Sequence, residues 1–165
     1  METSLAPALD DADENTPWLT DDEQALWRVH LEVGRLLGYA MERGLQPFGL
    51  PINDYAILVE LSEAPEHRMR MTDLATATLQ SKSRLSHQIT RMEAAGLVTR
   101  EGCPGDRRGL YAVLTDQGWD TMRRVAPHHV QSVREHFIDR LDPDQIASMY
   151  AALAPIADHL RSLRK

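Results

Sequence analysis

The sequence predicts a mainly α-helical chain carrying one small β-hairpin, and three observations predict it. Apolar residues recur at helical spacing over long stretches before residue 45 and after residue 115. Between these lie shorter helical segments, each with its own start or stop signal. Two β-compatible runs, 97–101 and 110–115, flank the turn-rich segment Gly102-Cys103-Pro104-Gly105-Asp106-Arg107-Arg108-Gly109. Apolar residues make up 42% of the chain and charged residues 26%, which excludes wholesale disorder. Aromatics are only 5%, so the core must be built from Leu, Ile, Val, Ala and Met.

Taken in order, residues 1–17 are rich in Asp, Ala and Pro without periodicity and read as a disordered acidic tail. Thr20 and Glu23 stand at capping-box spacing, and Asp21 and Asp22 add negative charge where the helix dipole favours it. Leu26, Val29, Val33, Leu36 or Leu37, Ala40 and Met41 then mark a helix over about 20–45, and Trp27 and Leu31 widen its stripe. Apolar residues on more than one face call for a partner beyond the helix's own domain.

The breakers Gln46 to Pro51 precede a second helix at about 53–61 and a short third at 72–77. Ser81 caps a fourth, which stops at Gly96, where glycine fits a left-handed end. After the hairpin come two long helices, about 115–138 and 142–163. Asp142, Pro143 and Gln145 occupy N-cap, N1 and N3 of the last. Trp119, Met122, Ala126, Val130, Val133 and Phe137 stripe the first of the pair, and Ile146, Met149, Tyr150, Leu153, Ile156, Leu160 and Leu163 the second. Pro127 and Pro155 each remove one helical hydrogen bond and bend the chain.

The length of 165 residues suits one domain, with no internal repeat at a solenoid period. The domain is expected at 18–165, with a central lobe at about 53–115 between the flanking long helices. No run approaches the ~18 apolar residues of a membrane span, and no basic, apolar leader opens the chain, so a cytoplasmic protein is expected. Lys and Arg number 18 against 25 Asp and Glu, a formal charge of −7. Eight of those acids lie in the first 23 residues with no base among them, so the remaining 18 bases and 17 acids leave +1. From Glu66 to Arg108 eight bases face five acids, a basic middle compatible with phosphate binding.

Helix, short helix, capped helix and hairpin, in that order, describe a winged helix-turn-helix, in which one exposed helix enters the major groove of DNA. The fourth helix has the composition for it: Ser81, Lys82, Ser83, Arg84, Ser86, His87, Gln88, Thr90 and Arg91, with no acid between Ser81 and Met92. Such side chains donate to phosphates or read base edges, Arg favouring guanine and Gln adenine. Leu85, Ile89 and Met92 form the strip that docks this helix on the body.

Several runs then resemble the MarR family of bacterial regulators. They are Asp73-Leu74-Ala75, Ser83-Arg84, Arg91 through Val98, Gly105-Asp106-Arg107-Arg108-Gly109 and Leu114-Thr115-Asp116-Gln117-Gly118. The wing element Asp106-X-Arg108, followed by Leu-Thr-X-X-Gly, is the most specific part, and the resemblance spans about 20–163. It implies a homodimer with interleaved terminal helices, a palindromic double-stranded DNA site, and a small effector that releases the DNA. The chain departs at Pro51, where many relatives place Ser or Thr before the second helix. Arg107 and Arg108 on the wing are expected to reach phosphates or the minor groove, with Asp106 holding the Arg108 guanidinium.

Trp27, His30, Tyr39 and Tyr55 are candidates for an aromatic effector pocket, although core packing explains each equally well. Cys103 falls on the wing loop and is read as passive, and a single cysteine supplies neither a disulfide framework nor a zinc cage. Of His128, His129 and His136, the last two are two turns apart, and no carboxylate or cysteine completes a set, so no metal is expected. No phosphate loop, Gly-X-Ser-X-Gly or His-Glu-X-X-His motif suggests an enzyme or a cofactor. The competing reading is a winged-helix adaptor that binds protein, which would tolerate acids on the fourth helix.

Overall fold

The capping signals place the helices. The computed structural model describes residues 16–103 and 105–163, with Arg107 and Arg108 described by their backbone alone. Most of the acidic tail, up to residue 15, lies outside the described residues. Helix α1 runs Asp21–Leu45. Its start is a closed capping box, in which Thr20 N–H donates to Glu23 Oε2 at 2.8 Å and Glu23 N–H to Thr20 Oγ1 at 3.3 Å. The bond from the Thr20 backbone, then that from its hydroxyl, holds the Glu23 carboxyl below its ordinary pKa.

After a 3-10 turn at Gln46–Phe48 comes α2, Ile52–Glu63. Pro51 offers its N-terminus no side-chain cap. A tertiary cap replaces it, since Ile52 N–H donates to Glu42 Oε2 of α1 at 3.0 Å. Strand β1 (Arg68–Arg70), α3 (Met71–Ala77) and α4 (Lys82–Ala94) follow. Ser81 Oγ accepts from Arg84 N–H at the start of α4, and Gly96, at φ 72°, ends the turn after it. Strands β2 (Val98–Cys103) and β3 (Asp106–Leu114) lead into α5 (Asp116–His136) and α6 (Pro143–Ser162). At α6 the box predicted from Asp142 and Gln145 closes in both directions, at 2.8 and 2.9 Å.

The hairpin is one part of a larger sheet. Its three antiparallel strands are ordered β1-β3-β2, with Arg70 opposite Tyr111, Thr99 opposite Val113 and Gly102 opposite Leu110. The expected two-stranded wing therefore gains β1, a three-residue strand of sequence Arg-Met-Arg too short to announce itself. The wing strands also run further than expected, and Cys103 is the buried last residue of β2 rather than a loop residue. A register irregularity between Gly102 and Cys103 accommodates the turn.

The described chain forms two compact units that divide within α1, one ending at Leu36 and the other beginning at Leu37. In the first, Leu26, Trp27, Val29, Leu31, Val33 and Leu36 are all exposed. In the second, Leu45, Ile57, Leu58, Leu61, Leu74, Leu85, Ile89, Met92 and Val125 are fully buried and form one core with Val98, Ala112 and Leu114 of the sheet. No residue of α6 is buried, and Tyr150 is 75% exposed.

Where the sheet meets α5 the packing leaves no room for a methyl group. Gly118, in the first turn of α5, is buried, and a Cβ built on it would lie 2.1 Å from the Leu97 carbonyl oxygen. Gly118 N–H also donates to Thr115 Oγ1 at 3.0 Å, while Thr115 Oγ1 donates to Gly96 O at 2.6 Å. Glycine to alanine normally strengthens a helix by about 1 kcal/mol. Here Gly118→Ala is expected to reverse that sign and cost ~1–3 kcal/mol, the usual toll of overpacking. Urea denaturation of the two proteins reads the difference, and a variant as stable as the parent would refute the close approach.

Candidate nucleic-acid interface

Helix α4 presents two distinct faces. Leu85, Ile89 and Met92 are fully buried, as their spacing predicts. Ser81, Lys82, Ser83, Arg84, Ser86, His87, Thr90 and Arg91 are exposed. Arg84, His87 and Arg91 share one outward stripe at i, i+3 and i+7. No acidic side chain stands on the first two turns of α4, so the helix N-terminus adds its positive dipole end to Lys82 and Arg84.

Gln88 is a correction. Expected among the base-reading residues, it is only 8% exposed, and its Nε2 donates to Asp54 Oδ1 at 2.7 Å. Its position carries the signal, because 85, 88, 89 and 92 complete the i, i+3, i+4, i+7 pattern of the docked face. Asp54 of α2 shows the same pattern with Ile57, Leu58 and Leu61, all buried. It also accepts from Arg91 Nη2 at 2.5 Å, and the Arg91 side chain remains 62% exposed.

The wing is tied to α4 through Arg100 of β2. Its Nη2 donates to Ser86 O at 2.7 Å and Thr90 Oγ1 at 3.0 Å, and its Nη1 pairs with Glu93. Nothing in the local sequence marks this clamp. At the wing tip, Asp106 Oδ1 accepts from Gly109 N–H and Oδ2 from Arg70 Nη1, both at 3.1 Å. Arg70 also lies over the Tyr111 ring. The Tyr111 hydroxyl first, then the Asp106 carboxylate, raise its pKa above the ordinary guanidinium value. So Asp106 has a partner on β1 that the sequence reading did not name, while the Arg107 and Arg108 side chains lie outside the described residues. Between α4, β1 and the wing opens a cleft of about 300 Å³ lined by Arg70, Lys82, Arg100, Thr72, Ser86 and Leu110, among others.

The four effector candidates are divided between the two units. Trp27 and His30 stack on each other on α1, with centroids 5.7 Å apart, in the unit ending at Leu36. Tyr39, in the other unit, is exposed beneath the Arg43 guanidinium. Tyr55 is buried in the core against the His129 ring at 4.6 Å. Burial pushes the Tyr55 pKa up and that of His129 down, favouring both neutral forms. Among the described residues no group of three or more His, Cys, Asp or Glu is placed to hold a metal ion. No described helix is long and apolar enough to cross a membrane.

The architecture has close counterparts. A crystal structure of AbsC, a MarR family transcriptional regulator from Streptomyces coelicolor, is 67% identical and superposes with a TM-score of 0.85, covering 89% of this chain and 99% of that one. The chain belongs to the MarR family. A MarR family model also matches residues 48–109, the segment holding α2 to the wing. Sco3205, a second MarR family regulator of S. coelicolor, solved in complex with DNA, is 44% identical with a TM-score of 0.83, over 88% of this chain and 92% of that one. The transcriptional regulator PecS of Dickeya dadantii is 26% identical over 130 residues, 78% of this chain and 77% of its own.

Proposed function

We propose that this MarR family protein is a homodimeric repressor that reads a palindromic operator and is released by a small-molecule effector. The observation that carries the reading is the outward face of α4, exposed from Ser81 to Arg91, free of acids, and flanked by a basic cleft and wing. A protein-binding adaptor or an enzyme needs no such face. Arg84 in the first turn of α4 reads base edges, while Lys82, Ser83, Arg91 and the wing residues Arg107 and Arg108 fix the helix on the backbone. That Sco3205, 44% identical, was captured on DNA supports the DNA-binding reading.

The dimer follows from the apolar side chains that each chain leaves in water on α1 and α6. Two copies related by a two-fold axis present their recognition helices to half-sites roughly 10–10.5 base pairs apart. Effector release rests on the family pattern. Selection from a random duplex pool with the full-length protein tests the central reading. The expected result is an inverted repeat bound with steep salt dependence. Recovery of unrelated sequences would leave only backbone attraction, and no recovery at low salt would refute DNA reading altogether.

A further inference from the structure

Asp54 and Gln88 are the two polar side chains buried among the described residues, and they are buried against each other. Each stands at a core position of its helix, where its neighbours one turn away are Ile57 and Leu58 for Asp54, Leu85 and Met92 for Gln88. A carboxylate taken out of water is costly unless its charge and lone pairs are answered. An apolar residue at 54 would fill the same position without that cost. What it could not do is grip Arg91. The Asp54 side chain is 7% exposed and that of Arg91 62%, so the pair runs from core to surface. One guanidinium nitrogen is used on Asp54 at 2.5 Å. The rest of the side chain stays exposed on the stripe shared with Arg84 and His87, with further donors on its rigid fork.

Resting on the reading of α4 as the DNA-contacting helix, we propose that Asp54 is a positioning residue for DNA recognition. It fixes the rotation of α4 through Gln88 and aims the Arg91 guanidinium at the phosphate backbone beside the bases read by Arg84. Asp54 touches no DNA itself and acts through the two α4 side chains it holds.

The test is binding of the full-length protein to two labelled duplexes, the inverted repeat recovered by selection and a scrambled duplex of the same composition, at several salt concentrations. Asp54→Asn keeps the shape and an acceptor for Gln88 but removes the charge. It is expected to weaken both duplexes about tenfold, the scale of one charge-assisted contact, and to lower the salt slope by about one. Arg91→Ala is expected to do the same, and the double variant to be no worse than either single one. Aspartate acting only as core structure would lower the melting temperature, leave the slope unchanged and multiply with Arg91→Ala, and that pattern would overturn the proposal. Arg91→Lys decides the matter if Asp54→Asn fails to fold. It keeps the charge without the fork, so it should fall to the affinity of Arg91→Ala, and wild-type affinity would overturn the proposal. Wild-type protein that binds neither duplex would sink DNA reading and this inference together. Wild-type binding with unaffected variants would sink the inference alone.

Discussion

A chain ending at Leu141 is expected to lose association and operator binding together. Helix α6 contributes no buried residue to its own chain, yet it carries Ile146, Tyr150, Leu153, Ile156 and Leu160, and Leu163 just past its end, all exposed. Burying one such side chain contributes ~1.5–3 kcal/mol, so a stripe of six is far more apolar surface than a free helix keeps in water. Phe137, Ile138 and Leu141 meet Ile146, Met149, Tyr150 and Leu153 around an apolar cleft of about 250 Å³, which extends this surface to the end of α5. A second copy covers it in the proposed dimer, and stability then depends on protein concentration. Light scattering and thermal melting over a range of concentrations read both effects. The pair Leu153→Asp and Ile156→Asp in the full-length chain should reproduce the loss without truncation. A shortened chain that stayed dimeric and bound DNA would refute the assignment of α6.

Replacing arginines at two positions should produce two different kinds of loss. Arg84 is exposed in the first turn of α4, the part of a recognition helix nearest the base edges. Arg84→Ala is expected to remove ~1–3 kcal/mol of discrimination, the worth of one bidentate base contact. The gap between the operator and scrambled duplex then narrows. Arg108, placed on β3 at the wing, is assigned to backbone or minor groove. Arg108→Ala should weaken every duplex alike and lower the salt slope by about one. Asp106→Ala should follow Arg108→Ala more weakly, by a route the structure makes specific. It frees the Gly109 N–H and the Arg70 guanidinium, which together shape the wing turn. Affinity for both duplexes across a salt series separates the cases. If Arg108→Ala altered only sequence preference while Arg84→Ala lowered all affinities equally, the two roles would be reversed.

Much of this architecture was legible in the sequence because its signals are local. The boxes at Thr20–Glu23 and Asp142–Gln145 act within one helical turn, and both close as their spacing predicts. Leu85, Ile89 and Met92 go to the core because a helix of that period has one side to bury. The exposed face from Ser81 to Arg91 follows from the same period. Gln88 was misplaced because its composition spoke for DNA while its position, one turn from Leu85 and beside Ile89, spoke for the core. Position wins, since the side chain goes where its helix turns it.

Alone, then, the sequence determined the capping boxes of α1 and α6, the apolar stripes, the acid-free basic face of α4, and the family resemblance. Tertiary structure alone decided which distant groups meet. It paired the three residues of β1 with β3, capped Ile52 with Glu42, and placed Gly118 against the Leu97 carbonyl. It tied Arg70 to Asp106 across 36 residues, and Asp54 to Gln88 and Arg91 across 34 and 37. The physical reason is the range of the forces. Backbone hydrogen bonds and caps couple residues within a turn, so their pattern is written in neighbouring letters. A buried carboxylate is answered by whatever donor the packed helices bring within hydrogen-bond distance, and that proximity exists only once the chain has folded.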